Sequence, residues 1–256
     1  MKAHDAGAAT DVGNVREHNE DRSLVERRGD KLVVAVADGV GGAQGGDIAS
    51  EAAVAELAKA YFERDGRDQR KDLVEAMRAA NAAVLETAEQ QGLKGAATTL
   101  VAAAIKGRTA AIGNLGDSRA YVLRKGVLRQ ITRDHTGSVN RSITRFAGDP
   151  RGANPDVFSE RLGPGDRLLL CSDGVTIHLE PNDITPLLAN GDAEEAAQSL
   201  VSEAVQRGGR DNATAVVVVA APRQWRWDLV VLWTTFLLAL AAIGSTMFYV
   251  SQQPLR

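Results

Sequence analysis

The stretch from Lys31 to Gly46, KLVVAVADGVGGAQGG, constrains the fold most, because it joins a strand, a carboxylate and a glycine-rich turn. Its run LVVAVA is apolar and rich in valine, which predicts a buried strand. Asp38 follows this run, and a helical pattern begins directly after the last glycine. A strand that ends in Asp-Gly places an acid at the rim of a sheet, although most such pairs are only turns.

Other carboxylates stand at comparable places along the chain. Asp117 follows an apolar run in IGNLGDSR, Asp173 does so in LLLCSDG, and Asp211 in GGRDNAT immediately precedes another apolar run. Glu20 and Asp21 stand side by side, close to Arg16. Each acid taken singly is more often a turn residue or a helix cap than a ligand. Brought together at one rim, these carboxylates would repel one another unless cations neutralised them.

The composition narrows the kind of site that the chain can build. The 256 residues are 44% hydrophobic and 25% charged with a net charge of −3, which is typical of a globular protein and does not indicate a nucleic-acid partner. Cys171 is the single cysteine and the four histidines are scattered, so oxygen ligands must serve any metal. Such ligands favour Mg²⁺, Mn²⁺ or Ca²⁺. Neither a dinucleotide fingerprint nor a P-loop is present, and Gly39 is a candidate ligand through its carbonyl.

The order of elements predicts an α+β fold. Apolar periodicity indicates helices over 47–64, 69–91 and 193–206. Strands are predicted within 3–21 and 23–37, and then at 98–105, 110–115, 120–123, 127–131, 166–172 and 213–221. The segment 134–154 is polar and reads as a loop with at most one short helix. Strands, then helices, then a meander of strands do not form the strict alternation of a doubly wound sheet.

The C-terminal segment differs from the rest of the chain. Leu229 to Val250 carries no charged residue and would reach roughly 33 Å as a helix, enough to cross a bilayer. Arg223 and Arg226 precede it and only Arg256 follows, so the positive-inside rule places the N-terminal part in the cytoplasm. We therefore predict a globular domain over 1–221, a linker over 222–228, a membrane helix over 229–250, a tail over 251–256, and a location at the inner membrane. The alternative is a buried core helix.

Seven motifs together resemble those of a known family. DVGNVREHNED, VADGVGG, GAATTL, NLGDSRAY, RDHT, GDRLLLCSDG and GGRDNAT follow the order found in the bacterial branch of the metal-dependent serine/threonine protein phosphatases of type 2C, the PPM family. The resemblance spans roughly Asp5 to Ala220. It implies two antiparallel β-sheets packed face to face with antiparallel helix pairs outside, a four-layer αββα sandwich. This agrees with the α+β order of elements.

The resemblance also implies roles for individual residues. Asp38 would bridge two Mn²⁺ or Mg²⁺ ions, with Gly39 and Glu20 on one ion and Asp173 and Asp211 on the other. Asp117 with Asp173 would hold a third, weaker ion. Arg16 would grip the substrate phosphate, which suits a guanidinium fork. Asp21, acting through water, and Asn212 would lie in the surrounding shell.

Two departures from the family pattern stand out. Val40 occupies a position where some members, chiefly eukaryotic, have a histidine proposed to protonate the leaving alcohol. The segment between Asp134 and Gly165 is short for a bacterial member, in which a mobile flap covers the substrate groove. We interpret His135 as structural and Cys171 as an inert core thiol.

These features predict a membrane-anchored phosphatase that hydrolyses phosphoserine and phosphothreonine on proteins and reverses a cognate serine/threonine kinase. Two cations would acidify the attacking water and stabilise the charge on phosphorus, with no covalent intermediate. The first alternative is an inactive phosphatase domain that binds a phosphoprotein, which the presence of every expected ligand disfavours. The second is a regulator that acts on one phosphorylated anti-sigma antagonist.

Overall fold

Two antiparallel sheets form the centre of the computed structural model, which describes residues 4–40, 45–65, 67–137 and 142–221. The first sheet has the order β1 (Asp5–Asp11), β11 (Ala213–Val219), β10 (Arg167–Cys171), β7 (Arg119–Arg124) and β8 (Val127–Gln130). The second has the order β2 (Asp21–Arg28), β3 (Lys31–Val40), β5 (Leu100–Lys106), β6 (Thr109–Leu115) and β9 (Asp156–Arg161). A two-residue strand, β4 (Ala97–Thr98), pairs with the end of β3.

Helices cover the outer face of each sheet. The second sheet carries α1 (Gly46–Phe62) and α2 (Gln69–Gln91), which pack against each other. The first sheet carries α3 (Asp173–Thr176), α4 (Pro181–Ala189) and α5 (Ala193–Gln206). The predicted arrangement of two face-to-face antiparallel sheets with helices outside is therefore confirmed.

The strands that read as continuously apolar are buried on both faces. On β3, Leu32, Val34 and Val36 point into the core between the sheets, whereas Val33 and Ala35 point towards α1 and α2. The same alternation on β10 sends Leu168 and Leu170 between the sheets and Leu169 towards the helices of the first sheet. A strand with two buried faces has no place for a polar residue, so the alternation typical of a half-exposed strand disappears.

Local signals locate two helices well. Asp68 caps α2, since its side chain accepts hydrogen bonds from the main-chain N–H groups of Arg70 and Lys71, and Gly92 ends the helix with a left-handed backbone, φ 69°. Asp192 and Glu195 form a capping box at the start of α5. The observed bounds of both helices equal the predicted ones.

The structure corrects three sequence-based expectations. Strand β3 does not end before Asp38 but continues to Val40, because Gly39 and Val40 pair with Thr98 and Ala97 of β4. Strand β9 was not predicted; it is a partly exposed edge strand, and four of its six residues, DVFSER, are polar. Helix α4 was not predicted either, because Pro186 interrupts its pattern, although Pro181 is well placed at its first turn.

The predicted linker, membrane helix and tail over 222–256 lie outside the described residues. The described residues belong to the compact unit Ala3–Ala221. Within the part of the chain that is described, no helix is both long enough and apolar enough to cross a bilayer. In the segment 134–154, the described residues contain two isolated bridges, Thr136 with Ile143 and Thr98 with Ala147, and no helix.

The contact between β1 and α5 gives a test of the packing. Gly7 lies so close to α5 that a Cβ there would stand 2.5 Å from the Cα of Glu194, a backbone atom that cannot move aside. We expect Gly7→Ala to reduce the free energy of unfolding by about 2 kcal/mol or more, the usual scale for overpacking. Chemical denaturation of the fragment ending at Ala221 measures this.

Gly107 supplies the matched control for that substitution. It has a left-handed backbone, φ 61°, with open space around its Cα. Gly107→Asn should change the free energy of unfolding by less than about 0.5 kcal/mol, because asparagine tolerates this conformation. Equal stabilities of the two variants would contradict the close packing of β1 on α5.

Candidate metal centre

Strand pairing brings Asp21 and Asp38 side by side at one end of the second sheet. The two residues are directly opposite in the β2–β3 ladder. Both main-chain groups of Asp38 are also held: its N–H donates to Thr99 Oγ1 at 3.0 Å, and its carbonyl accepts from Thr99 N at 2.8 Å and Thr98 Oγ1 at 2.9 Å. The backbone of Asp38 therefore has a defined position before any ligand binds.

Glu20 is held against the same strand by its main chain. Its carbonyl accepts from Ser50 Oγ at 2.6 Å and from Gly39 N at 3.2 Å, and its N–H donates to Asn212 Oδ1 at 2.8 Å. Its carboxylate lies against Gly46, where a Cβ would stand 3.0 Å from Glu20 Oε1. A Cβ on Gly39 would in turn collide with the backbone of Gly46. Glycine at both positions lets the two backbones and the Glu20 carboxylate approach closely.

Asp173 and Asp211 flank strands of the first sheet, and Asp117 lies in the turn that connects β6 of the second sheet to β7 of the first. Asp173 is the first residue of α3, separated from the end of β10 by one residue, and Asp211 precedes β11. Asp117 follows Gly116, whose backbone is left-handed at φ 110°. The sequence-predicted carboxylates thus come from both sheets and meet at one end of the sandwich, where their charges act on one another.

Burial and mutual repulsion dominate the electrostatics of this cluster. Burial, and then the charges of Asp21, Asp173, Asp211 and Asp117, raise the pKa of Asp38 well above its usual value. Burial raises the pKa of Asp21 to about 7, although hydrogen bonds with Ser172 and Thr214 favour its charged form. Burial and then the charge of Asp117 raise the pKa of Asp173 to about 6. Like charges held this close in a buried site each disfavour ionisation of the others.

The donor set fits a divalent cation. Asp21 Oδ1 is buried without a hydrogen-bond partner, while its Oδ2 accepts from Ser172 Oγ at 2.7 Å. An unpaired buried carboxylate oxygen beside other carboxylates is costly unless a cation compensates it. Across the described ranges, however, no three acidic, histidine or cysteine side chains are arranged to hold one ion as they stand. Mutual repulsion opposes that approach.

Arg16 lies beside the carboxylate cluster, where it forms an ion pair with the predicted ligand Asp211. Its guanidinium Nη2 stands 2.7 Å from Asp211 Oδ2, and half of the Arg16 side chain is exposed. The arginine therefore has one side on the carboxylate cluster and the other open to solvent, where a phosphate could reach it. Its predicted phosphate-binding role and the predicted ligand set remain predictions.

Some residues that hold the centre together were not singled out from the sequence. Ser172 connects the sheets: its Oγ accepts from Thr214 N at 3.0 Å and donates to Asp21. Thr99 Oγ1 lies 2.7 Å from Ser118 Oγ, which links the Asp38 strand to the turn that carries Asp117. The only signal for Ser172 is its place as the N-cap residue of α3, and its hydroxyl makes no capping bond there.

Two hollows lie near the ends of β3 and β6, and one of them is lined by carboxylates. A cleft of about 620 Å³ is lined by Asp117, Arg119, Asp134, Thr136, Asp173, Thr176 and Ile177. Arg119 is not free to bind a ligand there, because its guanidinium forks onto Asp134 at 2.7 to 3.1 Å. A second, mainly apolar hollow of about 480 Å³ borders Val40, Ile143 and Phe146. Val40 is 37% exposed, so its position beside Gly39 presents an apolar surface.

Comparison with known proteins gives consistent matches. The family described as "Protein phosphatase 2C" matches residues 14–220. The "Serine/threonine phosphatase stp" of Listeria monocytogenes serovar 1/2a is 33% identical over 234 residues, which cover 82% of this chain and 93% of the relative. The "Serine/threonine protein phosphatase PstP" of Mycobacterium tuberculosis (strain ATCC 25618 / H37Rv) is 34% identical over 228 residues, which cover 82% of this chain but 44% of PstP.

Solved structures agree with these sequence matches. The crystal structure of the catalytic domain of PstP, described as a complex with two manganese ions, superposes with a TM-score of 0.77 at 32% identity. The superposition covers 85% of this chain and 98% of that one. The likeness therefore extends over nearly all of the described residues.

Metal binding can be tested without an activity assay. We expect Mn²⁺ at about 100 times its dissociation constant to stabilise the fragment ending at Ala221 by about 2.7 kcal/mol. Asp38→Asn should lose this stabilisation, because it removes a central ligand. The same variant should match or exceed the wild-type melting temperature without metal, since it relieves repulsion. Thermal unfolding with and without Mn²⁺ measures both effects.

Asp30→Asn is the matched control, because Asp30 lies in the turn at the opposite end of β3. It should keep the full Mn²⁺ stabilisation. An Asp38→Asn variant that is stabilised by Mn²⁺ as strongly as the wild type would show that Asp38 is not a ligand.

Proposed function

Because the chain belongs to the protein phosphatase 2C family and is a serine/threonine protein phosphatase, we propose that it reverses the action of a serine/threonine kinase at a membrane. The carboxylate cluster at the common end of the two sheets carries the catalytic part of this conclusion. Its cofactors are two Mn²⁺ or Mg²⁺ ions, as in the manganese complex of the PstP catalytic domain. Phosphoproteins are its substrates.

The chain's own residues define what the site does around those ions. Bound cations supply an acidified water for attack on phosphorus and neutralise the phosphate charge. Asp38, Glu20 and Gly39 of the second sheet and Asp173 and Asp211 of the first would hold them. Arg16, half exposed beside Asp211, would orient the phosphate through its planar fork. Asp117, with Asp173 at the 620 Å³ cleft, would hold the third, weaker ion.

Covalent catalysis through the single cysteine is disfavoured. Cys171 is buried within β10, and burial raises the pKa of its thiol to about 12. A thiol with such a pKa provides almost no nucleophilic thiolate at neutral pH. Direct attack by a cation-activated water on the phosphoester needs no nucleophile from the protein. Since Val40 has no proton to give, solvent or another group must protonate the leaving alcohol.

The membrane part of the proposal rests on the sequence of the C-terminal segment. Leu229 to Val250 is uncharged and long enough to span a bilayer, and its flanking arginines favour a cytoplasmic catalytic domain. An enzyme anchored there meets substrates concentrated at the inner face of the membrane. A cognate kinase with membrane-proximal targets fits this placement.

The catalytic assignment predicts the effect of isosteric substitutions. We expect Asp38→Asn and Asp173→Asn each to lower kcat for Mn²⁺-dependent release of phosphate from a phosphothreonine peptide by at least about 100-fold, because metal-ion stabilisation of the reaction amounts to several kcal/mol. Asp30→Asn should retain wild-type kcat. Activity of either variant near the wild-type level would refute its place in the centre.

The anchor predicts a fractionation result. The full chain should sediment with membranes and resist carbonate extraction, whereas the chain ending at Ala221 should remain in the supernatant, since it lacks the apolar segment. Expression of the full chain in a deletion strain should lower the phosphothreonine content of membrane-associated proteins. Expression of the truncated chain should not. Soluble full-length protein would rule out the anchor and leave the catalytic assignment intact.

A further inference from the structure

His135 lies directly behind the turn that carries Asp117. Its side chain is buried, 7% exposed, in the loop that follows β8. Its main-chain N–H donates to the carbonyl of Gly116 at 3.0 Å, and its ring Nδ1 lies 3.2 Å from the N–H of the same glycine. One residue thus binds both main-chain groups of the residue immediately before Asp117.

The hydrogen bonds define the tautomer of the ring. A main-chain N–H can only donate, so Nδ1 of His135 must be the unprotonated nitrogen. Nε2 then carries the proton and donates to Asp156 Oδ2 at 3.2 Å. The other oxygen of Asp156 accepts from Arg145 Nη1 at 2.8 Å, which holds the carboxylate in place. The Asp156 carboxylate, by accepting from Nε2–H, therefore keeps Nδ1 unprotonated and able to accept from Gly116.

The turn itself leaves little freedom for any other arrangement. The backbone of Gly116 is left-handed at φ 110°, and a Cβ there would stand 2.7 Å from the side chain of Thr99. Asn114 Nδ2 donates to the Gly116 carbonyl at 3.1 Å. The Gly116 carbonyl thus accepts from two donors, His135 N and Asn114 Nδ2. The Gly116 N–H, in contrast, donates to ring Nδ1 of His135. Loss of that acceptor frees the orientation of the turn just before Asp117.

We propose that His135 is a positioning residue for Asp117 and, through it, sets the affinity of the cation that Asp117 helps to hold. This inference rests on the proposed role of Asp117 as a ligand. Groups that orient a metal ligand from behind typically change metal affinity by 10- to 100-fold when they are lost. Both ring nitrogens of His135 are engaged, one by the turn and one by Asp156, so the ring would contribute orientation and no coordination.

Two amide substitutions separate the two nitrogens of the ring. His135→Asn places an oxygen where Nδ1 stands, so it keeps the acceptor for the Gly116 N–H and loses the bond to Asp156. His135→Gln reaches towards the Nε2 position, so it keeps a donor for Asp156 and loses the acceptor for Gly116. A residue with a purely packing role would respond to both changes in the same way.

The experiment is Mn²⁺ titration calorimetry of the full chain in detergent, with thermal unfolding of each variant in parallel. Asp117→Asn identifies the binding step to which Asp117 contributes, because it weakens that step. We expect His135→Gln to weaken the same step by about 10-fold, and His135→Asn to weaken it by less than about threefold. In the Asp117→Asn background, His135→Gln should have no further effect on that step, because the two residues act as one unit.

His4→Ala is the matched control. His4 also uses both ring nitrogens, with Gly107 O at 2.5 Å and Ala221 N at 3.1 Å, but at the opposite end of the sandwich. It should lower the melting temperature and leave Mn²⁺ binding unchanged. This separates lost stability from lost positioning.

Three results would overturn the proposal. They are wild-type Mn²⁺ binding by His135→Gln, equal effects of the two amides, and an undiminished effect of His135→Gln in the Asp117→Asn background. If His135→Gln does not fold, Asp156→Ala replaces it, because loss of the whole carboxylate removes the acceptor that selects the tautomer. Severalfold weaker Mn²⁺ binding by Asp156→Ala then supports the proposal, and wild-type binding overturns it. Calorimetry detects the effect even if the enzyme has no activity on the peptide tested.

Discussion

Repulsion between buried carboxylates is the constraint on which the rest of this structure depends. Burial raises the pKa of Asp21, Asp38 and Asp173, and the charge of Asp173 raises the pKa of the other two further. A set of acids like this would separate if its backbones were free to move. The antiparallel ladders and the hydrogen bonds of Thr98 and Thr99 prevent that movement. Cations that bind among the carboxylates would relieve the repulsion, and this relief favours their binding.

Docking of the two sheets and assembly of the centre are a single event. Asp21 and Asp38 lie on strands of the second sheet, with Glu20 just before β2. Asp173 and Asp211 flank strands β10 and β11 of the first sheet. Two side chains join the halves: Ser172 Oγ binds Asp21, and Asn212 Oδ1 binds the N–H of Glu20. Both are buried, so these bonds form only when the apolar faces of the sheets have met. The carboxylate cluster therefore forms where the two sheets meet and is absent from either sheet alone.

Elements that are determined by contacts between residues close in sequence were predicted well, and elements that depend on distant partners were not. Helices α2 and α5 were located to the residue because their caps, Asp68 and Asp192, act within one turn. Strand β9 depends on its neighbour β6, and the last two residues of β3 depend on β4, about 60 residues later in the chain. No local pattern reports such a partner. His135 was interpreted as structural from the sequence, and only its contacts with Gly116 and Asp156 indicate a further role.

The sequence by itself determined the chemistry of this protein. Oxygen ligands, a single cysteine and carboxylates beside apolar runs indicated a hard divalent cation, and seven motifs identified the family. The tertiary structure decided which of those acids share an environment, which main-chain groups orient them, and that Arg16 pairs with Asp211. The physical reason is that residue types set the available donors and charges, whereas the spacing between charges is set by strand register and sheet packing, which join residues far apart in the chain.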